Sequence, residues 1–275
     1  MLSRLKKIIK LISPPILLKI PEYYLNSRCN TFSGDYASWS EAMKDSSGYD
    51  SEKIVSKVKQ ATIQVINGEA AYERDSVLFY TEEYDWSLIS YFQSIALQHD
   101  GKLSVLDYGG ALGSTYLKNR HFLDGCLDLN WTIVEQPNYV KIGKQLHKDT
   151  SINFYFSLEE ALKNKDYNVI LLSCVLPYLE RPYETLDLIT SSNIEYVIID
   201  RHPLLGKNNR DILTVQTVAK NIYDASYPAW FFARDKFIKY ISDKYKLINE
   251  SSALDQANYP CQYKCFFLKR SESHK

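Results

Sequence analysis

Residues 103–119 read LSVLDYGGALGSTYLKN, and the fold is decided in this stretch. An apolar run ends at Asp107-Tyr108 and breaks into a loop carrying Gly109, Gly110 and Gly113. Ser114 then opens a helical pattern. Glycine lets a chain turn sharply and lets a ligand approach where a Cβ would stand in the way. The following helix aims unpaired N–H groups at that ligand. A tight strand-to-helix turn needs glycines too, so the surroundings carry the reading.

Downstream, short apolar runs alternate with helical segments. LSVLDY precedes a helix over 114–124, and WTIVEQ one over 137–147. INFYF precedes 158–164, NVILLSCV precedes 181–190, and YVIID closes the series. Such alternation predicts an α/β fold, a Rossmann-like sheet of five parallel strands with both faces covered. After a loop-rich stretch and a helix over 234–243 come YKLINES and QYKCFFLKR, with only a loop between them. Strands joined that way pair antiparallel. Residues 101–275 thus read as one Rossmann-like domain.

Residues 1–100 read as a mainly helical segment. Within 30–50 the Ser, Gly, Asp and aromatic content predicts a loop with one short helix. Ser51 caps a helix that Gly68 ends, with Ile54, Val58, Ala61 and Val65 on one face. A second run over 83–99 repeats the pattern through Trp86, Ile89, Phe92 and Ile95. The first twenty residues carry five basic side chains and no acidic one, and Lys10 and Pro14-Pro15 interrupt their apolar run. This is neither a spanning helix nor a signal peptide. It reads as a basic amphipathic helix that either packs on its own domain or makes peripheral contact with the inner face of a membrane. The expected location is cytoplasmic.

Thirty-three basic residues balance thirty-three acidic ones, so no global field draws in nucleic acid. The five cysteines, Cys29, Cys126, Cys174, Cys261 and Cys265, read as reduced thiols rather than a disulfide framework. Cys261 and Cys265 lack the further ligands a zinc site needs, and no metal is expected.

The second strand ends in Glu135, twenty-two residues past Gly113. An acid there accepts hydrogen bonds from the ribose hydroxyls of an adenosine cofactor. A dinucleotide fingerprint would set a pyrophosphate against the helix terminus, yet Asp107 stands beside that place. Its carboxylate repels pyrophosphate and suits the ammonium of a methionine moiety. Charge therefore favours S-adenosylmethionine over NAD.

DYGGALG followed by VEQ resembles the first and second cofactor motifs of class I methyltransferases, and SCVLPYLERPYETL the segment after their fourth strand. More narrowly, FSGDYASWSEA, GYDSEKI, GEAAYERDSVLF, IIDRHPL and ASYPAWFF make the chain similar to a family of bacterial methyltransferases associated with surface-polysaccharide biosynthesis. The resemblance spans roughly residues 32–232. It implies that Asp107, Gly109, Gly110 and Gly113 contact the methionine side of the cofactor. It further implies that Glu135 holds the ribose and that Gln136 flanks the adenine. Family members commonly place an acid after the third strand; here Phe156-Ser157-Leu158 stands instead, leaving adenine to Ser157 and apolar contacts. Ser173 and Cys174 are expected at the methyl-bearing end.

The implied function is methyl transfer, O-directed, to a glycan, nucleotide-sugar or other small molecule. His202 is the candidate base, with Asp200 orienting it or the substrate and Arg201 available for an anionic acceptor. Tyr72-Glu73-Arg74-Asp75 reads as either a lid or an inter-helix ion-pair network, and Tyr227, Pro228, Trp230 and Phe231 as a loop patch for sugar stacking or packing. Two rival readings remain: an NAD(P)-dependent sugar-modifying oxidoreductase, and a non-catalytic methyltransferase-like scaffold.

Overall fold

The structure, a computed structural model, describes residues 30–47, 51–206, 210–219, 222 and 224–271. The basic helix expected over residues 1–20 and Cys29 lie outside them. The chain enters as strand β1 (Thr31–Ser33), helices α1 (Trp39–Lys44) and α2 (Ser51–Ile66), strands β2 (Tyr72–Arg74) and β3 (Val77–Phe79), and helix α3 (Trp86–Gln98). The alternating part comprises β4 (Lys102–Tyr108), α4 (Ser114–Leu123), β5 (Asp128–Val134), α5 (Pro137–Leu146), β6 (Ile152–Tyr155), α6 (Leu158–Asn164), β7 (Val169–Ser173), α7 (Pro182–Ser191) and β8 (Tyr196–Leu205). Strands β9 (Ile212–Thr217) and β10 (Ser226–Ala233), helix α8 (Arg234–Ile241), and strands β11 (Tyr245–Ser252) and β12 (Cys261–Arg270) complete it.

Local chemistry sets the helix starts. Asp85 accepts from the Leu88 N–H at 3.1 Å and caps α3, while Ser157 accepts from the Glu160 N–H at 3.1 Å and caps α6. Pro137 and Pro182 occupy first-turn positions, where the missing N–H costs nothing.

The fold is Rossmann-like, as the alternation predicts. Strands β6, β5, β4, β7 and β8 pair in parallel in that order. Strand β12 lies antiparallel on β8, and β11 antiparallel on β12. Helices cover both faces, which is why the strands read as nearly unbroken apolar runs. One core joins Leu106, Ile170, Leu172, Val197 and Ile199 to Leu186 and Ile189 of α7 and Phe237 and Ile241 of α8. The other joins Val105, Ile133, Leu171 and Ile198 to Leu88, Phe92 and Ile95 of α3 and Val140 of α5. Each such side chain contributes about 1.5–3 kcal/mol on burial.

The sheet is larger than expected. The stretch before α8, read as loop, holds β9 and β10, so the aromatic patch at Tyr227–Phe231 is strand, with Pro228 opposite Val215. Strand β10 joins the far half of β8 in parallel, pairing Phe232 with Leu204. Strand β1 pairs antiparallel with β9, bringing residues 31–33 of the otherwise helical leading third into the same ten-stranded sheet. Residues 72–79 are likewise a β-hairpin, whose turn residues Asp75 and Ser76 both have positive φ (52° and 68°). That conformation matches the twist of the flanking strands.

No helix among the described residues is long and apolar enough to cross a membrane.

Candidate cofactor and active site

A cavity of about 1470 Å³ opens above the carboxyl ends of the parallel strands. A typical small-molecule site measures about 300–1,000 Å³, so there is room for two ligands side by side. Asp107 to Ala111 at the end of β4 form its floor with Val134 to Pro137 at the end of β5 and Phe156 to Glu159 after β6. Ser173, Cys174 and Val175 complete it after β7, with Asp200 and Arg201 on β8. This is where open α/β sheets bind ligands.

The glycines differ in what they allow. Gly109 has φ +79°, and a Cβ there would stand 2.6 Å from Val175. At Gly110 a Cβ would stand 2.5 Å from the Asp107 carboxyl group. Gly113 caps α4 with φ +93° and does not line the cavity, so its part is conformational.

Asp107 is only 1% exposed. Its Oδ2 accepts from the Trp131 indole at 3.1 Å, and its Oδ1 has no partner. Loss of hydration, aided by the negative charge of Glu135, pushes its pKa up to about 7. An unpaired acceptor buried in a ligand cavity is held ready for a donor from outside the chain. Glu135 accepts from the Ala111 N–H at 3.3 Å and from the Gln136 N–H at 2.7 Å, and burial raises its pKa. Ser157 lines the cavity while its hydroxyl oxygen caps α6.

At the other end of the floor, Asp200 Oδ2 accepts from the Ser173 hydroxyl at 2.8 Å and Oδ1 is unpartnered. Burial raises the pKa of this carboxyl too, although the Arg201 charge pulls the other way. Cys174 adopts φ +52° beside it, and burial pushes its thiol up to about 12, which makes it a poor nucleophile. Asp75, Ala111, Cys174 and Arg201 all line the cavity with left-handed backbone, so strain in non-glycine residues gathers around this site.

Two expectations are corrected. His202 does not line the cavity. It is 1% exposed and stacks on Phe232 and Phe237 with centroids 4.4 Å and 4.1 Å away. Burial depresses its pKa to about 3, so it stays neutral. The cause lies in β8. Ile199 pairs with Phe266 and His202 with Lys264, so Asp200 and Arg201 together face Cys265 alone. This β-bulge, with φ +54° at Arg201, throws the following residues to the opposite face. Arg201 is not available for an anion either, because it grips Asp255 bidentately, Nη2 donating to Oδ1 at 2.7 Å and Nε to Oδ2 at 3.0 Å.

The Tyr72–Asp75 cluster, read from sequence as a lid or an ion-pair network, lines the cavity, and several further lining residues escaped the sequence reading. Glu73 is buried, takes the Ser114 hydroxyl and the Ser76 N–H, and so ties the β2–β3 hairpin to the start of α4. Lys118 lies over the Tyr72 ring, 4.1 Å from its centroid, and Asn119 presents an unpartnered Oδ1. Tyr178 donates to Gln216 Oε1 at 2.8 Å. For Lys118 and Asn119 the signal was helical spacing from Ser114 near the glycine loop, and Tyr178 lay within the segment after the fourth strand; Gln216 gave none.

No protein-family model matches the chain, and no curated protein matches it in sequence. Among solved structures it is similar to the N-terminal domain of EvdMO1 in the presence of SAH and D-fucose: 10% identity, 82% of this chain, 98% of that one, TM-score 0.47. It is similar to magnesium protoporphyrin IX methyltransferase (ChlM) from Synechocystis PCC 6803 with bound SAM: 11% identity, 82% and 99% of the two chains, TM-score 0.45. N-methyltransferase NodS from Bradyrhizobium japonicum WM9, in complex with SAH, gives 10% identity, 66% and 86%, and TM-score 0.40. The reading of function therefore rests on the site itself.

Proposed function

We propose that the chain is an S-adenosylmethionine-dependent methyltransferase acting on a hydroxyl of a small-molecule acceptor. One observation carries the reading: Asp107 Oδ1 is buried and unpaired at the tip of the leading strand. The adjoining Gly110 keeps the approach to it free of a side chain. A carboxylate there matches an ammonium group and opposes the pyrophosphate of NAD(P). Lys118 and Arg74 line the same cavity and suit the carboxylate of an amino-acid tail. Glu135 takes the ribose hydroxyls, while Gln136, Ser157 and Phe156 border the adenine.

When bound, the cofactor supplies a methyl group on a sulfonium centre. The chain orients the acceptor and takes one proton. Asp200 is the group assigned to take it: the residue lines the cavity beside Ser173, its Oδ1 has no hydrogen-bond partner, and burial raises its pKa, which makes its carboxylate a stronger base. Ser173 fixes the carboxyl by donating to the other oxygen.

Calorimetry on the purified chain tests the assignment. S-adenosylmethionine and S-adenosylhomocysteine are expected to bind and NAD not to bind, and Glu135→Ala is expected to weaken both adenosine ligands at least about tenfold. A folded chain that ignores both sulfur compounds at millimolar concentration would sink the reading. A chain that binds them but forms no S-adenosylhomocysteine with any acceptor would favour the scaffold. The setting in surface-polysaccharide synthesis, and contact of residues 1–20 with a membrane, belong to the same proposal. Both rest on sequence alone, and co-sedimentation with anionic vesicles reads the second.

A further inference from the structure

The cavity has a second wall that the cofactor floor does not explain. It is built by the segment ahead of β2 and by the β9–β10 hairpin, both outside the alternating βα series. Phe32, Trp39, Met43, Val218, Ile222 and Pro228 present its apolar surface. Among the described lining residues from 30–58 and 216–228, none is charged.

This wall adjoins the methyl-bearing end. Tyr178, in the turn after β7, donates to Gln216 Oε1 at 2.8 Å, and the Gln216 amide approaches the Tyr227 hydroxyl at 3.5 Å. The Tyr178 and Tyr227 rings meet edge to face at 5.4 Å. Gln216 is buried, and burial holds the Tyr178 hydroxyl well above its ordinary pKa, so the polar part of the wall is neutral. Charged lining groups lie elsewhere or are spoken for. Arg201 is closed on Asp255, and Arg181 pairs with Glu184 at 3.3 Å on the exposed rim. Lys118 and Arg74 belong to α4 and the β2–β3 hairpin.

We infer that this chamber takes an uncharged hydroxyl compound with an apolar body, and that it selects against nucleotide-sugars. The inference rests on the floor holding the cofactor as proposed above. A diphosphate set against this wall would lose its hydration and find no cation among the described residues that line it, Lys57 beside it being bonded to the Ile222 carbonyl at 2.7 Å; the loss is several kcal/mol. An apolar body gains from the same surface, and Tyr178, Gln216 and Tyr227 can orient one hydroxyl toward Asp200.

The test uses the full chain, with and without saturating S-adenosylhomocysteine, titrated with 2-naphthol by fluorescence and with UDP-glucose by calorimetry. Saturable 2-naphthol binding is expected, weakened at least about tenfold by Met43→Glu and by Ile222→Glu, with S-adenosylhomocysteine affinity unchanged. Met43 is 46% exposed, so the change is expected to leave the fold intact. UDP-glucose is expected not to bind. Absence of saturable 2-naphthol binding in a chain that holds S-adenosylhomocysteine would overturn the inference, as would UDP-glucose binding that 2-naphthol displaces. A chain that ignores S-adenosylhomocysteine yet takes 2-naphthol, with both variants impaired, keeps the chamber and loses the cofactor assignment instead.

Discussion

The Trp131 indole nitrogen donates to Asp107 Oδ2 at 3.1 Å, and this single bond decides which carboxyl oxygen is left for a ligand. Trp131 is buried on β5, opposite Val105, two residues before the level of Asp107. With the carboxyl near pKa 7, a neutral solution holds protonated and ionised forms together. Only the ionised form attracts an ammonium group. Affinity for S-adenosylhomocysteine is therefore expected to rise from about pH 6 to about pH 8 and then level off, with proton uptake by buffer at the lower end. Calorimetry in two buffers of different ionisation enthalpy checks this. Asp107→Asn should flatten the profile. Trp131→Phe should move its midpoint upward, because the lost donor had favoured the charged form.

Gly110 and Gly113 offer a contrast between two uses of glycine. A Cβ on Gly110 meets the Asp107 carboxyl at 2.5 Å, whereas one on Gly113 has nothing nearer than 3.5 Å. Gly110→Ala should therefore displace the carboxyl and cost at least about tenfold in cofactor affinity, with about 1–3 kcal/mol of stability. Gly113→Ala should cost about 1–2 kcal/mol through its left-handed backbone alone and leave affinity nearly intact. Thermal melts paired with titrations separate the two, and equal affinity losses would contradict the distinction.

The leading strand, its glycine loop, Asp107 and Glu135 were legible because short-range rules govern them: apolar run, turn, helix start, acid at the next strand end. The β9–β10 hairpin was not. Residues 212–216 are buried without alternation, and Pro228 within β10 speaks against a strand unless a partner accommodates it. The bulge in β8 was invisible for a different reason. Two residues facing one is a property of the pairing with Cys265, and nothing within Asp200-Arg201-His202 records it. His202 was read as a base from its place at the end of the fifth strand, and the bulge turns it away from the cavity.

His202 therefore supplies a prediction opposite in sense to its sequence reading. Its pKa falls from the usual 6.5 to about 3 because burial disfavours the charged ring. The unfolded chain binds this proton first on acidification, so the contribution to stability is full above pH 6.5 and drains away as pH falls toward 3. The slope from one such group is at most about 1.4 kcal/mol per pH unit. His202→Phe should reduce the acid-side loss of stability relative to the parent chain, measured by urea melts across that range. Turnover at neutral pH should be preserved. A titrating His202 ring signal in nuclear magnetic resonance near pH 6 would contradict the buried placement.

In the proposed reaction Asp200 takes the part first assigned to His202, and its hydrogen bond to Ser173 makes that role separable from a structural one. The carboxylate is the competent form, and burial raises its pKa, so turnover should climb with pH and flatten once the group is ionised. Asp200→Asn keeps the shape and removes the base, with turnover expected to fall about 10²–10⁴-fold while S-adenosylhomocysteine affinity holds. Ser173→Ala removes a donor that favours the charged carboxyl, so the rising limb should shift to higher pH with the plateau rate little changed. A merely structural Ser173 would lower stability and leave the limb where it was. Single-turnover rates for the parent and both variants over a pH series distinguish these outcomes, and an unshifted limb together with an active Asp200→Asn variant would remove Asp200 from the chemistry.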